Sequence, residues 1–513
     1  MNPVLRPMRR AASRGMGLVL ATALALAPCA PLQAADPAGG NALPHLGDGS
    51  DMTAAAERRL GDRIARSLYR DPDYVDDAVI QEYVEGIWTP LMEAARLRGE
   101  LPQVLDETFA WRILLGRDRS VNAFALPGGY LGVHLGLVAM VSSRDELASV
   151  MAHELSHVTQ RHIARSLSRQ ADQAPWVLGA MILGVLAASK SPNAASAVVV
   201  GGQAAAVQTQ LNFSRDMERE ADRVGFGVMT QAGYAPQGFV SMFEKLQQAN
   251  RLNDSGAFPY LRSHPLTTER IADMQARLPA GAALGAPALT LEHAQIAARA
   301  RVLSFGDVDS LRRWDSELAS AKWSELSSSQ QAHSLYGAAL AAMKLREFAQ
   351  AQALFARLQV LTRGQAGADR QTRLLGAELA LTAGNPVAAA GYLSGLQGSG
   401  RAATLLQARV NMASGRADAA AQLLQTQVAD HPQDASAWQL LAQANAQRGR
   451  TLASVRSEAE SSIAQLDYAA AVGRLKAAQD LTRTGRVDLI EASIVDTRLR
   501  QVEQWLKEQA QER

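Results

Sequence analysis

Met151-Ala152-His153-Glu154-Leu155-Ser156-His157 carries the pattern HExxH inside a stretch, Arg144–Leu167, that reads as one helix. On an α-helix, residues four apart stack one turn above each other, so His153 and His157 present two imidazoles to one point. Two neutral imidazole nitrogens at about 2.0–2.1 Å suit Zn²⁺. Glu154 projects beside that point, where it can take a proton from water. The plainer alternative is a helix with two surface histidines and an ordinary glutamate. With nine histidines among 513 residues, HExxH would be a rare accident.

A catalytic zinc takes three protein ligands and keeps one position open. The extended pattern HExxHxxGxxH needs glycine at 160 and histidine at 163, where this chain has Gln160 and Ile163. His162, five residues beyond His157, falls on another side of a continuous helix and reads as a solvated residue. A third ligand must therefore come from another helix. The helical stretch Ser214–Ala232 contains Glu218-Arg219-Glu220-Ala221-Asp222. Glu218 is the candidate: its carboxylate would close the set as His₂Glu, for one Zn²⁺ per chain. Asp222, one turn later, can accept a hydrogen bond from the distal N–H of a ligating histidine and fix its tautomer. Taken alone, Glu218 and Asp222 would be a charged helix face.

Around this constellation the chain has ordinary globular composition, 47% hydrophobic and 20% charged, and is long enough for two to four domains. Residues 1–35 read as a secretory signal: Arg6, Arg9, Arg10 and Arg14, the apolar run Met16–Ala27, then Pro-Leu-Gln-Ala-Ala-Asp. Without those arginines the formal charge falls from +2 to about −2, so no nucleic-acid surface is implied. Cys29 is the single cysteine, and Pro28 before it fits a lipidation box poorly; cleavage beyond it leaves neither disulfide nor thiol nucleophile. The apolar stretches 175–188 and 194–207 are short for membrane spans. They read equally as a buried hairpin or as an interfacial helix touching a membrane.

Hydrophobic periodicity predicts helices over 51–68 and 74–98, a strand over 107–115, and strand, Pro-Gly-Gly turn, strand over Ser120–His134. Further helices follow over Ala235–Asn250 and after His264-Pro265. An Ala/Gly/Pro-rich segment at 278–287 marks a domain boundary. Beyond it strand signals vanish. Gly415 and Gly449 lie 34 residues apart and Gly384 lies 31 before Gly415, the scale of a tetratricopeptide repeat. Ala339, Phe348, Ala351 and Phe355 fit that register, as do Ala420, Leu424, Trp438, Leu441 and Ala442, then Tyr468, Ala471, Leu475 and Ala478. The fold expected is mostly α with a small β-sheet, an α+β zincin-like domain over 51–280. An all-α solenoid of about four repeats and a terminal helix follows over 290–513.

HELSH, Glu218 to Asp222, the Asn122–Tyr130 stretch and His264-Pro265 with Arg270-Ile271 together resemble the metallopeptidase family that includes the CAAX prenyl endopeptidases and a heat-shock membrane protease. Secretion signal and repeats make the chain most similar to the periplasmic branch of that family. The resemblance implies a zinc endopeptidase with Glu218 as third ligand and Glu154 as base. It also implies that His264 can take the open zinc position and hold the enzyme off. Clients would be unfolded or stalled outer-membrane β-barrel proteins and their assembly machinery, with peripheral contact to the outer membrane. The strand around Asn122, Ala123, Phe124 and Ala125 would pair with extended substrate, unless it is an interior strand. Arg270 reads as a structural ion pair or an electrostatic helper. The competing class is a non-proteolytic periplasmic chaperone or scaffold that works through its repeats.

Overall fold

The computed structural model describes residues 52–168, 214–251, 258–279, 289–320, 322–396, 398, 400–484 and 488–511. The signal-like segment with Cys29, the apolar stretches within 175–207 and most of the 278–287 boundary lie outside them.

The first helices and strands build a mixed layer around one buried helix. Helix α1 (Ala54–Tyr69) starts at Thr53, whose hydroxyl accepts from the Ala56 amide at 3.2 Å. Strand β1 (Tyr74–Val75) precedes α2 (Ala78–Leu97), which Asp77 caps through the Ile80 amide at 3.0 Å. The expected helix over 74–98 thus loses its first residues to the sheet, where Tyr74 and Val75 pair with Gly116 and Leu115. The expected strand over 107–115 also divides. Glu107 and Thr108 end a short helix, α3 (Gln103–Thr108), Trp111 turns the chain at φ 49°, and only then does β2 (Arg112–Gly116) begin.

Strands β3 (Ala123–Leu126) and β4 (Tyr130–His134) form the expected hairpin over Pro127-Gly128-Gly129. Both glycines have positive φ, and a Cβ on Gly128 would stand 2.7 Å from the Arg58 backbone, so the turn needs glycine for conformation and for space. The sheet order is β1-β2-β4-β3, with β2 and β4 parallel and the outer pairs antiparallel. Among the described residues, β3 is therefore an edge strand.

Helix α4 (Leu135–Met140) leads to α5 (Arg144–Thr159), and α6 (His162–Ser168) follows. The helix expected over 144–167 is broken because Arg161 adopts φ 52°. Next come α7 (Arg215–Gln231), α8 (Gln237–Arg251), α9 (Tyr260–Ser263) and α10 (Thr268–Ala276). From Glu146 to Thr159 every residue of α5 is buried, the mark of a helix surrounded by other elements.

The remaining described chain is helical. It runs through α11 (Leu291–Ser304), α12 (Val308–Ser320), α13 (Ser328–Lys344), α14 (Phe348–Thr362), α15 (Ala366–Thr382) and α16 (Pro386–Leu393). It continues through α17 (Arg401–Ala413), α18 (Ala417–Asp430), α19 (Ala435–Gln447), α20 (Thr451–Ala464), α21 (Tyr468–Thr484) and α22 (Leu489–Gln511). Gly384, Gly415 and Gly449, all at positive φ, make the turns into α16, α18 and α20. Small side chains such as Ala339, Ala351, Ala420 and Ala471 are buried where consecutive helices approach.

One hydrophobic cluster runs from Val84, Ile87 and Leu91 of α2 through Leu147 and Met151 of α5 into Ile296 and Ala300 of α11, Leu374 of α15 and Leu406 of α17. Among the described residues, no helix is long and apolar enough to cross a membrane.

Candidate metal centre

Ser143 starts α5 by accepting from the Glu146 amide at 3.1 Å, and Ser214 starts α7 through the Met217 amide at 3.2 Å. The two helices then pack closely. A Cβ on Gly225 would lie 3.1 Å from the Ala152 backbone, and Ala221 is fully buried. This approach sets the Glu218 carboxylate against the imidazoles of α5.

His153, Glu154, His157, Glu218 and His264 are all at most 2% exposed. His153 Nε2 lies 3.0 Å from His157 Nε2, 3.3 Å from His264 Nδ1 and 3.5 Å from Glu218 Oε2. Glu218 Oε1 stands 3.4 Å from His157 Nε2 and 3.0 Å from His264 Nδ1. Ligands about 2.0–2.1 Å from a tetrahedral zinc are separated by about 3.3–3.4 Å along each edge. The spacing of these donors matches that edge, so His153, His157, Glu218 and His264 could hold one metal ion between them.

Charge points the same way. Glu218 and Asp222 share a single guanidinium, Arg270, and the carboxyl of Glu154 lies beside Glu218 and His264. Glu154 Oε1 and Glu218 Oε2 are buried without an aligned hydrogen bond, although Arg270 Nη1 stands 2.9 Å from the latter. Burial opposes its charge, yet His264, His153 and His157 hold the Glu218 carboxyl well below the usual carboxylate range. Burial also opposes protonation of His153, but Asp222 and Glu218 push it up to about 9. Burial, aided by the charges of His153 and His162 against the Glu218 contact, drives His157 well below its usual value.

Glu154 is placed for proton transfer. Its Oε2 accepts the Ala125 amide of β3 at 2.9 Å, which leaves Oε1 aimed at the site, 3.4 Å from His264 Nε2. Burial raises its pKa above the ordinary carboxylate range, opposed by the neighbouring charges of His264 and His153. Asp222 Oδ1 lies 2.9 Å from His153 Nδ1, and Arg270 grips Asp222 at 2.6 and 2.8 Å. Arg270 is thus both a buried ion-pair partner and a neighbour of the site.

The expected site residues do not all converge. Ala125 reaches the site through its amide. Asn122 O accepts from the His134 amide at 3.0 Å, so by alternation Ala123 and Ala125 turn their backbone groups to the free edge. Phe124 packs instead on His134 and the cluster around Leu60 and Ile64. Asn122 is buried, and its Oδ1 has no hydrogen-bond partner among the described residues.

Two contributors escape a reading by periodicity. Tyr260, fully enclosed on α9, stacks on His264 with centroids 4.6 Å apart; only its place four residues before His264 hints at this. His162 is not solvated: it is fully buried, and its Nδ1 lies 2.9 Å from His157 Nδ1. The left-handed turn at Arg161 ends the helix and folds His162 back, a break that no glycine announces.

Residues 94–278 match the family model "Peptidase family M48". A candidate beta-barrel assembly-enhancing protease of Vibrio cholerae is 34% identical over 338 residues, which is 65% of this chain and just under two thirds (66%) of that protein. The beta-barrel assembly-enhancing protease of Escherichia coli strain K12 is 28% identical over 475 residues, 91% of this chain and 92% of its own length. The mitochondrial metalloendopeptidase OMA1 of Saccharomyces cerevisiae is 29% identical over 201 residues, 38% of this chain and 55% of that protein.

Proposed function

The chain belongs to peptidase family M48 through its residues 94–278, and from that premise we propose that it is a zinc endopeptidase of the periplasm. Its substrates are misfolded or stalled outer-membrane β-barrel proteins, a class suggested by the names of its relatives. Residues 290–513 act as a tetratricopeptide-repeat domain that captures those clients or their assembly machinery, while residues 51–280 form the protease.

The observation that carries this reading is the set of buried donors on His153, His157, Glu218 and His264, spaced as tetrahedral edges beside Glu154. Bound zinc would polarise a peptide carbonyl and acidify a water. Glu154, anchored by the Ala125 amide, takes the proton on Oε1 and returns it to the leaving amine; burial, which raises its pKa, favours its holding that proton between the two steps. The free-edge groups of Ala123 and the Ala125 carbonyl pair with an extended, unfolded substrate with little demand on its sequence. Asp222, held by Arg270, keeps His153 presenting Nε2 to the metal.

His264 has a second role in this reading. Its Nδ1 stands where a fourth ligand would, and its Nε2 faces the oxygen of Glu154 that must meet water. In this reading the resting enzyme is latent, because His264 would take the fourth position on the metal beside His153, His157 and Glu218. The test is metal analysis combined with casein cleavage for wild type, Glu154→Gln and His264→Ala. Glu154→Gln should lose roughly 10²–10⁴-fold in rate with zinc retained, and His264→Ala should gain activity. A zinc-free wild type would end the metallopeptidase reading. A His264→Ala variant no faster than wild type would end the latency.

A further inference from the structure

The two histidines of HExxH are supported in different ways. A histidine that gives Nε2 to a metal must carry its proton on Nδ1, and in a buried site that N–H requires an acceptor. For His153 the group at Nδ1 is a carboxylate, Asp222, 2.9 Å away though not aligned as a hydrogen bond. For His157, completely buried, the neighbour of Nδ1 is another imidazole nitrogen, His162 Nδ1, at 2.9 Å. Two facing ring nitrogens bond only if one bears the hydrogen and the other a lone pair.

The far side of His162 decides which. His162 Nε2 lies 3.0 Å from Glu220 Oε2, and Arg165 Nη1 donates to that same oxygen at 3.0 Å. An oxygen that receives a guanidinium N–H is an acceptor, so His162 puts its hydrogen on Nε2 and leaves Nδ1 with a lone pair. His157 must then be the donor on Nδ1, which frees its Nε2 as a lone pair toward His153, Glu218 and His264. The tautomers of both rings are thus dictated from Glu220.

The backbone is shaped to make this happen. α5 ends at Thr159, Arg161 takes φ 52°, and α6 begins at His162. Arg161 donates to Glu57 Oε2 at 3.1 Å and also to the Met52 carbonyl, which ties the strained turn to α1. A left-handed conformation at a residue with a Cβ persists only when its surroundings hold it.

We propose that His162 is a positioning residue for the metal centre, an imidazole relay from Glu220 that fixes the tautomer and ring orientation of His157. It touches neither metal nor substrate. The inference rests on the metal-site reading above, and the test separates the two.

Zinc affinity of the full chain is measured by competition with a colorimetric chelator for wild type, His162→Leu, His162→Asn and Glu220→Leu. The visible spectrum of the Co²⁺-loaded proteins is recorded alongside. Loss of such a support typically weakens metal binding by ~10–100-fold, and His162→Leu should fall in that range with an altered cobalt spectrum. His162→Asn, whose amide oxygen can stand near the place of Nδ1, should recover much of the affinity and the wild-type spectrum. Glu220→Leu should weaken binding less than His162→Leu. If wild type binds no zinc, the metal-site reading fails and this inference with it. If wild type binds zinc and His162→Leu binds it equally well with an unchanged spectrum, the relay alone is overturned. Should His162→Leu not fold, the other two variants decide. Wild-type affinity in Glu220→Leu, or an Asn variant that loses tenfold or more, overturns the relay.

Discussion

Arg270 and Arg299 are both buried guanidiniums, 4% and 5% exposed, each held between two carboxylates. Arg299 on α11 donates to both oxygens of Asp77 and both of Glu378 at 2.7–3.0 Å, and to the Tyr336 hydroxyl at 3.2 Å. Asp77 also caps α2, so this network ties the first helical layer to α11, α13 and α15. Arg270 grips Asp222 equally well but meets Glu218 off line, and Glu154 adds a third carboxylate nearby. Every carboxylate oxygen of the first network accepts a hydrogen bond, whereas in the second Glu218 Oε2 and Glu154 Oε1 have none that is aligned. A buried charge costs free energy unless paired, so the complete network serves as a structural junction, and the incomplete one is where the proposed reading adds a cation.

The largest effect expected is on stability at the closed network. Arg299→Met strands Asp77 and Glu378 and should cost about 3–5 kcal/mol in denaturant unfolding. Zinc should raise the Tm of that variant by as much as it raises the wild type, because the junction never meets the metal. Arg270→Met should behave in the opposite way. Metal-free, it should be strongly destabilised, and zinc should raise its Tm by more than in wild type, since the ion then neutralises carboxylates that the arginine no longer serves. Equal zinc-induced shifts in the two arginine variants would erase the distinction drawn between the networks.

A smaller effect separates packing from coordination. Gly225→Val forces α7 away from the Ala152 backbone, and Gly337→Ala drives a methyl to 2.2 Å from the Trp314 ring. Overpacking of this kind costs about 1–3 kcal/mol. The Gly225 variant should also lose zinc affinity, read by chelator competition, whereas the Gly337 variant should bind zinc as wild type does.

The same contrast explains what the sequence can reveal. His153, His157, Glu218 and Asp222 are legible because helical spacing of four residues translates directly into a shared face. The turn glycines at 384, 415 and 449 are legible because positive φ selects glycine. His162 is not, because periodicity assumes a continuous helix and the break falls at Arg161, which has the wrong side chain for its φ. Asp77 and Glu378 lie 222 and 79 residues from Arg299 in the chain, and no local pattern links such partners. Tyr74–Val75 joins the sheet through pairing with β2, which overrides a helical pattern that continues without it.

The smallest effect expected is a pH dependence at the closed junction. His293 on α11 is fully buried, with Nδ1 2.7 Å from the Tyr83 hydroxyl and Nε2 2.9 Å from the Val141 carbonyl. Burial holds its pKa below the usual 6.5, against the raising influence of the Val141 carbonyl, so the folded protein keeps it neutral. The unfolded chain takes up that proton near pH ~6.5. Below this value the unfolded state binds more protons than the folded one, and stability falls as pH falls toward the folded pKa. Above it the contribution is constant. His293 should therefore lower the Tm of wild type as pH falls between about 7.5 and 5.5, opposed by His153, whose raised pKa acts in the other direction. His293→Asn should start lower at the upper end of that range, having lost a hydrogen-bonded ring, but decline less across it. Other buried histidines titrate in both proteins, so the difference in slope isolates His293. Parallel slopes would mean that the junction, complete in its ion pairs, is also indifferent to protons, and that the acid sensitivity of the fold lies at the metal centre instead.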